Sequence, residues 1–174
     1  MRFTALALPG VVEVETVPSA DERGLFARLF CAEEFAAQGL PTDFVQHSVS
    51  FNRRAGTLRG LHYQRTPLEA KLVRCLSGAA YDVIVDLRRG LPSYGRWCAV
   101  ELSAERRNAV LVPKGCAHGF QTLVDGTELL YLIDEPFVAE AAAGIRWDDP
   151  SLAIPWPVPE PILSARDRTL PWLD

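Results

Sequence analysis

Two of the three histidines, His62 and His118, lie close to glycines in short apolar segments. An imidazole titrates near neutral pH, so a histidine that reaches a cavity can take up or release a proton there. Arg59 and His62 are three positions apart, which puts them on opposite faces of a regular strand unless a bulge at Gly60 turns one of them. A glycine inside a strand often marks such a bulge or a close ligand approach. We therefore predict functional roles for His62 and His118; a partly buried structural histidine is the alternative for each.

Two histidines also raise the question of a metal site. Metal-binding β-barrels bring several imidazoles or carboxylates to one ion, commonly with an H-x-H pair on one strand face. The sequence has no H-x-H pair, and its four scattered cysteines contain no C-x-x-C pair. We expect no metal ligands, although His62 and His118 could still meet in space, which leaves a metal-dependent enzyme as an alternative.

Charged residues in or near the predicted strands could complete a catalytic site. Lys71 opens an apolar strand, where it either lies at a solvated edge or reaches a cavity and stabilises developing negative charge. Asp82 and Asp86 share one face of the next strand, so one of them could orient a histidine unless that face is exposed. Asp167 lies near the C-terminus, in a segment that could wrap back and deliver a further carboxylate.

Length and composition describe an ordinary globular protein. We expect a single domain over residues 1–174, with 48% apolar and 23% charged residues. A net charge of −4 argues against nucleic-acid and membrane-surface binding, so an anionic ligand needs a local basic cluster. No apolar run approaches the roughly 20 residues that span a bilayer. Pro9 and Gly10 break the N-terminal segment too early for a secretory signal, and the cysteines are typical of reduced thiols, so we expect a cytoplasmic protein.

Short runs of β-forming residues, separated by turn signals, recur along the chain. This spacing, with few helical segments between the runs, predicts an all-β sandwich or barrel. One helix is predicted at 32–38, ended by Gly39, and one short turn at 103–107. Six prolines after Asp149 predict an extended C-terminal wrap and not a second domain. The predicted strands are 11–17, 72–76, 80–86, 98–102, 109–112, 119–123 and 129–132.

The order and spacing of several motifs resemble the deoxysugar epimerases typified by dTDP-4-dehydrorhamnose 3,5-epimerase. The segments that carry the resemblance are 21–26, 56–64, 71–74, 82–88, 113–120, 144–150 and 163–167. The resemblance covers almost the whole chain. It implies an all-β, cupin-type double-stranded β-helix (jelly roll) that works as a homodimer without a cofactor, with an N-terminal segment exchanged between subunits. The implied substrate is a nucleotide-diphospho-4-keto-6-deoxy sugar, inverted at C3, C5 or both.

The resemblance also implies roles for individual residues. His62 matches the family's general base and Asp167 the carboxylate paired with it, while Lys71 would offset the charge of the enolate. Tyr131 matches the proton donor on the opposite face of the sugar; from the residues alone, a packed core aromatic is the alternative. The further positions that match substrate contacts are Arg23, Phe26, Gln46, Arg59, His118 and Arg166, with Phe26 near the nucleotide base.

Several positions depart from the family's pattern. Ser48 stands where members often carry asparagine, while Arg28 and Ala142 stand where glutamate is expected. Pro136 and Phe137 replace a common Tyr-Tyr pair, so Phe137 can stack on a base but offers no hydroxyl. We count Arg28, Ser48 and Phe137 among the candidate substrate contacts. The departures keep open a single-centre epimerase acting on a modified deoxysugar nucleotide, or a catalytically silent sugar-nucleotide-binding cupin.

Overall fold

The computed structural model describes residues 1–173, which are mainly β-strand. The strands are β1 Arg2–Ala5, β2 Val12–Glu15, β3 Ser19–Asp21, β4 Gly24–Phe26, β5 Gln46–Asn52, β6 Leu58–Gln64, β7 Lys71–Ser77, β8 Ala79–Asp86, β9 Trp97–Ser103, β10 Ala109–Val112, β11 Cys116–Thr122, β12 Thr127–Ile133 and β13 Ala142–Gly144. The helical elements are α1 Ala32–Ala37, α2 Ala165–Arg168 and one 3-10 turn, Ala139–Ala141. In this part of the chain, no helix has the length and apolar character needed to cross a membrane.

The strands form two facing antiparallel sheets and a separate hairpin. One sheet has the order β1-β2-β10-β7-β12-β5, the other has the order β13-β6-β11-β8-β9, and β3 pairs only with β4. Consecutive strands from β6 to β8, and from β10 to β12, alternate between the two sheets. This alternation makes the double-stranded β-helix, so the predicted all-β jelly roll is confirmed.

The space between the sheets is divided between a packed core and a cavity. Side chains from both sheets meet in the core, including Val73, Val110 and Leu129 from the first and Ile84 and Phe120 from the second. Strands β5, β7 and β12 of the six-stranded sheet form one wall of the cavity. Strands β6, β11 and β13 of the five-stranded sheet form the opposite wall. Side chains that point between the sheets on these six strands therefore share one chamber.

The seven predicted strands, the helix and the turn are all present; β10 has the predicted ends, and at least one end of each other strand and of the helix is shifted. Strand β11 begins at Cys116 and not at 119, because Gly119 lies inside the ladder and does not interrupt it. Gly39 follows α1 in the left-handed conformation, at φ 68°. The C-terminal wrap is confirmed except for α2, whose first turn is capped by the Ser164 hydroxyl accepting from Asp167 N at 3.0 Å. The prolines of this segment led us to predict an extended chain where the short helix lies.

Candidate active site

A bulge in β6 brings Arg59 and His62 to the same cavity. His62 pairs with His118 in the register between β6 and β11, but Arg59 pairs with Phe120, so three steps on β6 match two on β11. Gly60 makes this possible: its φ is 129°, and a Cβ atom there would lie 2.6 Å from Gly119 Cα. Both Arg59 and His62 line the cavity. The structure therefore has the irregularity that the sequence analysis considered at Gly60.

The cavity has a volume of about 340 Å³, within the range of small-molecule sites. Its lining combines cationic, aromatic and small polar side chains. The lining residues are Ser48, Val49, Ser50, Arg59, His62, Tyr63, Gln64, Glu69, Lys71, His118, Phe120, Tyr131, Ile133, Phe137, Ala142, Ala143 and Arg166. Eight of the thirteen predicted site residues are in this set. The local basic cluster expected from the protein's net charge is therefore present.

His62 and Asp167 form a hydrogen-bonded pair at the cavity wall, although 105 residues separate them. The His62 Nε2 to Asp167 Oδ1 distance is 2.6 Å, and the Asp167 side chain is buried. Burial alone would raise the pKa of Asp167, but hydrogen bonds from His62 and Ser164 outweigh it and hold that pKa below its usual value. With Nε2 donating to this carboxylate, Nδ1 is the imidazole nitrogen with a lone pair available.

His118 forms a second histidine–carboxylate pair with Asp82. Its Nε2 lies 2.8 Å from Asp82 Oδ2, and both side chains are buried. Burial raises the pKa of Asp82, while the hydrogen bond with His118 and the positive charge of Lys71 act in the opposite direction. The exposed-face alternative for Asp82 is therefore wrong. Asp86 is also buried but binds Arg88 and Ser93, at 2.6 and 2.7 Å, and does not line the cavity.

Tyr131 and Lys71 lie on the wall opposite the two histidines, on adjacent strands of the six-stranded sheet. The Tyr131 ring meets the His118 ring edge-on, with centroids 6.0 Å apart. Removal from water, and then the nearby Asp82 charge, raise the pKa of Tyr131, so its phenol keeps its proton at neutral pH. Lys71 is buried and lines the cavity, so the solvated-edge alternative for this residue is wrong.

Three further predicted contacts, Ser48, Phe137 and Arg166, also line the cavity. Gln46 stands beside it: its Oε1 accepts from the Phe137 backbone N–H at 3.0 Å, which fixes the segment that carries the phenylalanine. Arg59 is oriented through its Nε, which donates to Asn52 Oδ1 at 2.8 Å. Nothing in the sequence pattern pointed to Asn52, because the contact depends on the bulge that redirects Arg59.

Arg23, Phe26 and Arg28 lie away from this cavity within one chain. Arg23 and Phe26 lie on the β3–β4 hairpin, which pairs with neither sheet, and Phe26 is 79% exposed. Arg23 instead binds its hairpin neighbour Asp21 at 2.5 Å. Arg28 follows the hairpin and lies 3.3 Å from Glu34 of α1. The cavity formed by one chain therefore lacks all three.

Sequence reasoning did not select Glu69, which lines the cavity with its Oε1 2.9 Å from Lys71 Nζ. The Glu-x-Lys spacing could have indicated this residue, because residues two apart in an extended segment point to the same face. Among residues 1–173, no group of three histidine, cysteine or acidic side chains is arranged to hold a metal ion. The two histidine pairs, Lys71 and Tyr131 can together remove, hold and return a proton.

Comparisons with known proteins identify the family. Residues 5–174 match the family model described as dTDP-4-dehydrorhamnose 3,5-epimerase. The enzyme of that name from Pseudomonas aeruginosa is 42% identical, covering 97% of this chain and 93% of the relative. The crystal structure of the Bacillus anthracis enzyme with TDP and PPi bound is 42% identical, covers 99% of both chains and has a TM-score of 0.96. ChmJ, a 3'-monoepimerase from Streptomyces bikiniensis in complex with dTDP-quinovose, is 37% identical, covers 96% of this chain and 85% of its own, and has a TM-score of 0.90. The chain therefore belongs to the dTDP-4-dehydrorhamnose 3,5-epimerase family.

Proposed function

We propose that this protein epimerises a nucleotide-diphospho-4-keto-6-deoxy sugar of the dTDP-4-keto-6-deoxyglucose type at C3 and C5, through an enolate. The observation that carries the proposal is the placement of a base and an acid on opposite walls of one cavity. His62, paired with Asp167, lies on the five-stranded sheet, and Tyr131 lies on the six-stranded sheet. Inversion requires this arrangement, because the proton must leave one face of the carbon and return on the other.

The first step is removal of a proton from a carbon next to the ketone. His62 Nδ1 takes the proton, the electron pair of the C–H bond moves onto the carbonyl oxygen, and Asp167 stabilises the resulting imidazolium. The Lys71 ammonium group offsets the enolate charge, a contribution of about 3 kcal/mol for one such donor. Asp82 holds His118 at 2.8 Å, so that this second imidazole also faces the developing oxyanion in a fixed orientation.

The second step returns a proton from the opposite wall. Tyr131 donates its phenolic proton to the carbon as the enolate collapses to the ketone, and solvent then restores the two protein groups to their starting protonation. The raised pKa of Tyr131 supports this role, because the phenol remains protonated until a strongly basic carbon is in front of it. Both steps only transfer protons, so the reaction balances without an oxidant or a reductant.

Recognition of the nucleotide is assigned to the basic and aromatic residues around the cavity. Arg59 and Arg166 are placed to meet a diphosphate, and Phe137, 60% exposed, offers a flat face for a base. The relative from Bacillus anthracis, which carries TDP and PPi, supports a nucleotide ligand. A domain spanning 1–174 and a cytoplasmic location remain part of the proposal.

A homodimer is also proposed, because Arg23, Phe26 and Arg28 do not line the cavity of their own chain that holds His62 and Tyr131. A C2 dimer could bring the exposed β3–β4 hairpin of one subunit to the cavity of its partner. In that arrangement Arg23 would approach the diphosphate and Phe26 the base.

The direct test follows the C3 and C5 protons of dTDP-4-keto-6-deoxyglucose by NMR in deuterated water. We expect deuterium at both carbons with the wild type and a loss of exchange on the order of 10³-fold or more in His62→Ala. A ligand that binds without exchange would mean a silent binding protein. Undiminished exchange in His62→Ala would refute the mechanism.

Inversion at a single carbon is the second candidate. Ser48, Phe137 and Ala142, three of the positions where the chain departs from the family's pattern, line the cavity, so changed chemistry faces the substrate there. The similarity to a 3'-monoepimerase shows that the family contains such enzymes. Deuterium at only one of the two carbons, in the same experiment, would establish this candidate and exclude the double epimerase.

A further inference from the structure

Glu69 is the one acidic residue among the described residues that line the cavity. It lies two residues before the start of β7, and its backbone course is fixed by Ala70, whose N–H donates to Asp134 Oδ1 at 2.6 Å. In return, the Asp134 N–H donates to the Ala70 carbonyl at 3.2 Å. Because residues two apart in an extended chain point the same way, Glu69 and Lys71 both face the chamber. Their side chains are 10% and 11% exposed.

Lys71 needs a fixed partner in this environment. Its ammonium group is on a flexible four-carbon side chain, and the cavity also contains Arg59, Arg166 and two histidines. The other two carboxylates near the site are already held by histidines: Asp167 by His62 at 2.6 Å and Asp82 by His118 at 2.8 Å. Among the described residues, Glu69, whose Oε1 is 2.9 Å from Lys71 Nζ, is the carboxylate that forms an ion pair with the ammonium group.

We propose that Glu69 is a positioning residue whose ion pair fixes the Lys71 ammonium group and thereby directs its N–H groups toward the carbonyl oxygen of the bound sugar. This inference rests on the epimerisation proposed above. An ammonium group held in place before substrate arrives needs no reorganisation when the enolate forms. Loss of Glu69 should therefore lower kcat and leave KM nearly unchanged, because the contacts to the nucleotide lie elsewhere.

The chain contains two lysines, Lys71 and Lys114, so lysine labelled with ¹⁵N at Nζ gives a simple spectrum. Lys114→Arg assigns the signals. In Glu69→Gln we expect the Lys71 ammonium signal to move or broaden, and kcat for deuterium incorporation to fall about tenfold, with KM within about twofold. The matched control is Glu135→Gln, because Glu135 makes an equivalent contact to Lys114, at 2.7 Å, outside the cavity. It should affect only the Lys114 signal and leave both kinetic constants unchanged.

The spectroscopic and kinetic measurements separate the possible failures. An unchanged Lys71 signal in Glu69→Gln would overturn the proposal, and so would an unchanged kcat beside a shifted signal. A wild-type protein that exchanges neither carbon would instead refute the epimerisation. In that case the NMR comparison still decides whether Glu69 holds the ammonium group.

Discussion

At the scale of single residues, Asp167 has two effects that one substitution can test: it orients a catalytic histidine, and it makes stability depend on pH. Its carboxylate fixes the orientation of His62 and, being hydrogen-bonded and ionised, has a lowered pKa. A group whose pKa is lower in the folded state stabilises that state above its unfolded pKa, roughly 3.9 for aspartate, and the contribution disappears as the pH falls through the folded pKa.

Replacement of Asp167 by asparagine should therefore change both activity and the pH dependence of stability. We expect kcat to fall on the order of 10³-fold, because the amide cannot stabilise the imidazolium. Urea denaturation between about pH 5 and 2 should show a shallower loss of stability in Asp167→Asn than in the wild type. Asp148→Asn, which breaks an exposed pair with Arg146, is the control for activity. Parallel stability curves for wild type and Asp167→Asn would show that Asp167 has the same pKa in both states.

At the scale of elements, β6 owes its function to its glycine bulge. A methyl group at Gly60 would meet Gly119 Cα at 2.6 Å and the His118 carbonyl oxygen at 3.0 Å, on a backbone with φ 129°. We expect Gly60→Ala to destabilise the fold by about 2–3 kcal/mol, measured by urea denaturation. Gly90→Ala is the matched control, because no atom lies within 4 Å of its added methyl group. Equal stability of the two variants would contradict this account of the bulge.

The same strand shows what sequence could and could not predict. Gly60 between Arg59 and His62 was a local signal that allowed a bulge there, and the structure has one. The long buried strands were also predictable, because their apolar runs are continuous. Strands β1, β3 and β13 are only three or four residues long, too short to show an alternating pattern, and β13 also depends on β6, far along the chain. The contact between His62 and Asp167 spans 105 residues, and only resemblance to a family suggested it.

At the scale of the whole molecule, the predicted dimer and the hairpin must be tested without removing the N-terminus. Strands β1 and β2 belong to the six-stranded sheet, so a truncation of the first 20 residues would damage the fold itself. The β3–β4 hairpin, by contrast, pairs with no other strand, and the Arg23 side chain is 86% exposed. Substitutions of Arg23 and Phe26 therefore change the hairpin surface while the two sheets remain intact.

A mixed-subunit experiment then decides which cavity the hairpin serves. Subunits carrying Arg23→Ala and Phe26→Ala keep His62, whereas His62→Ala subunits keep the hairpin. If the hairpin acts on the partner's cavity, a co-expressed mixed dimer contains one complete site. Random pairing should then restore about a quarter of wild-type kcat/KM, measured at low substrate, to two proteins that are each defective alone. No gain on mixing, in dimers confirmed by sizing and mass spectrometry, would place the hairpin's contribution within its own subunit or remove it from substrate binding altogether.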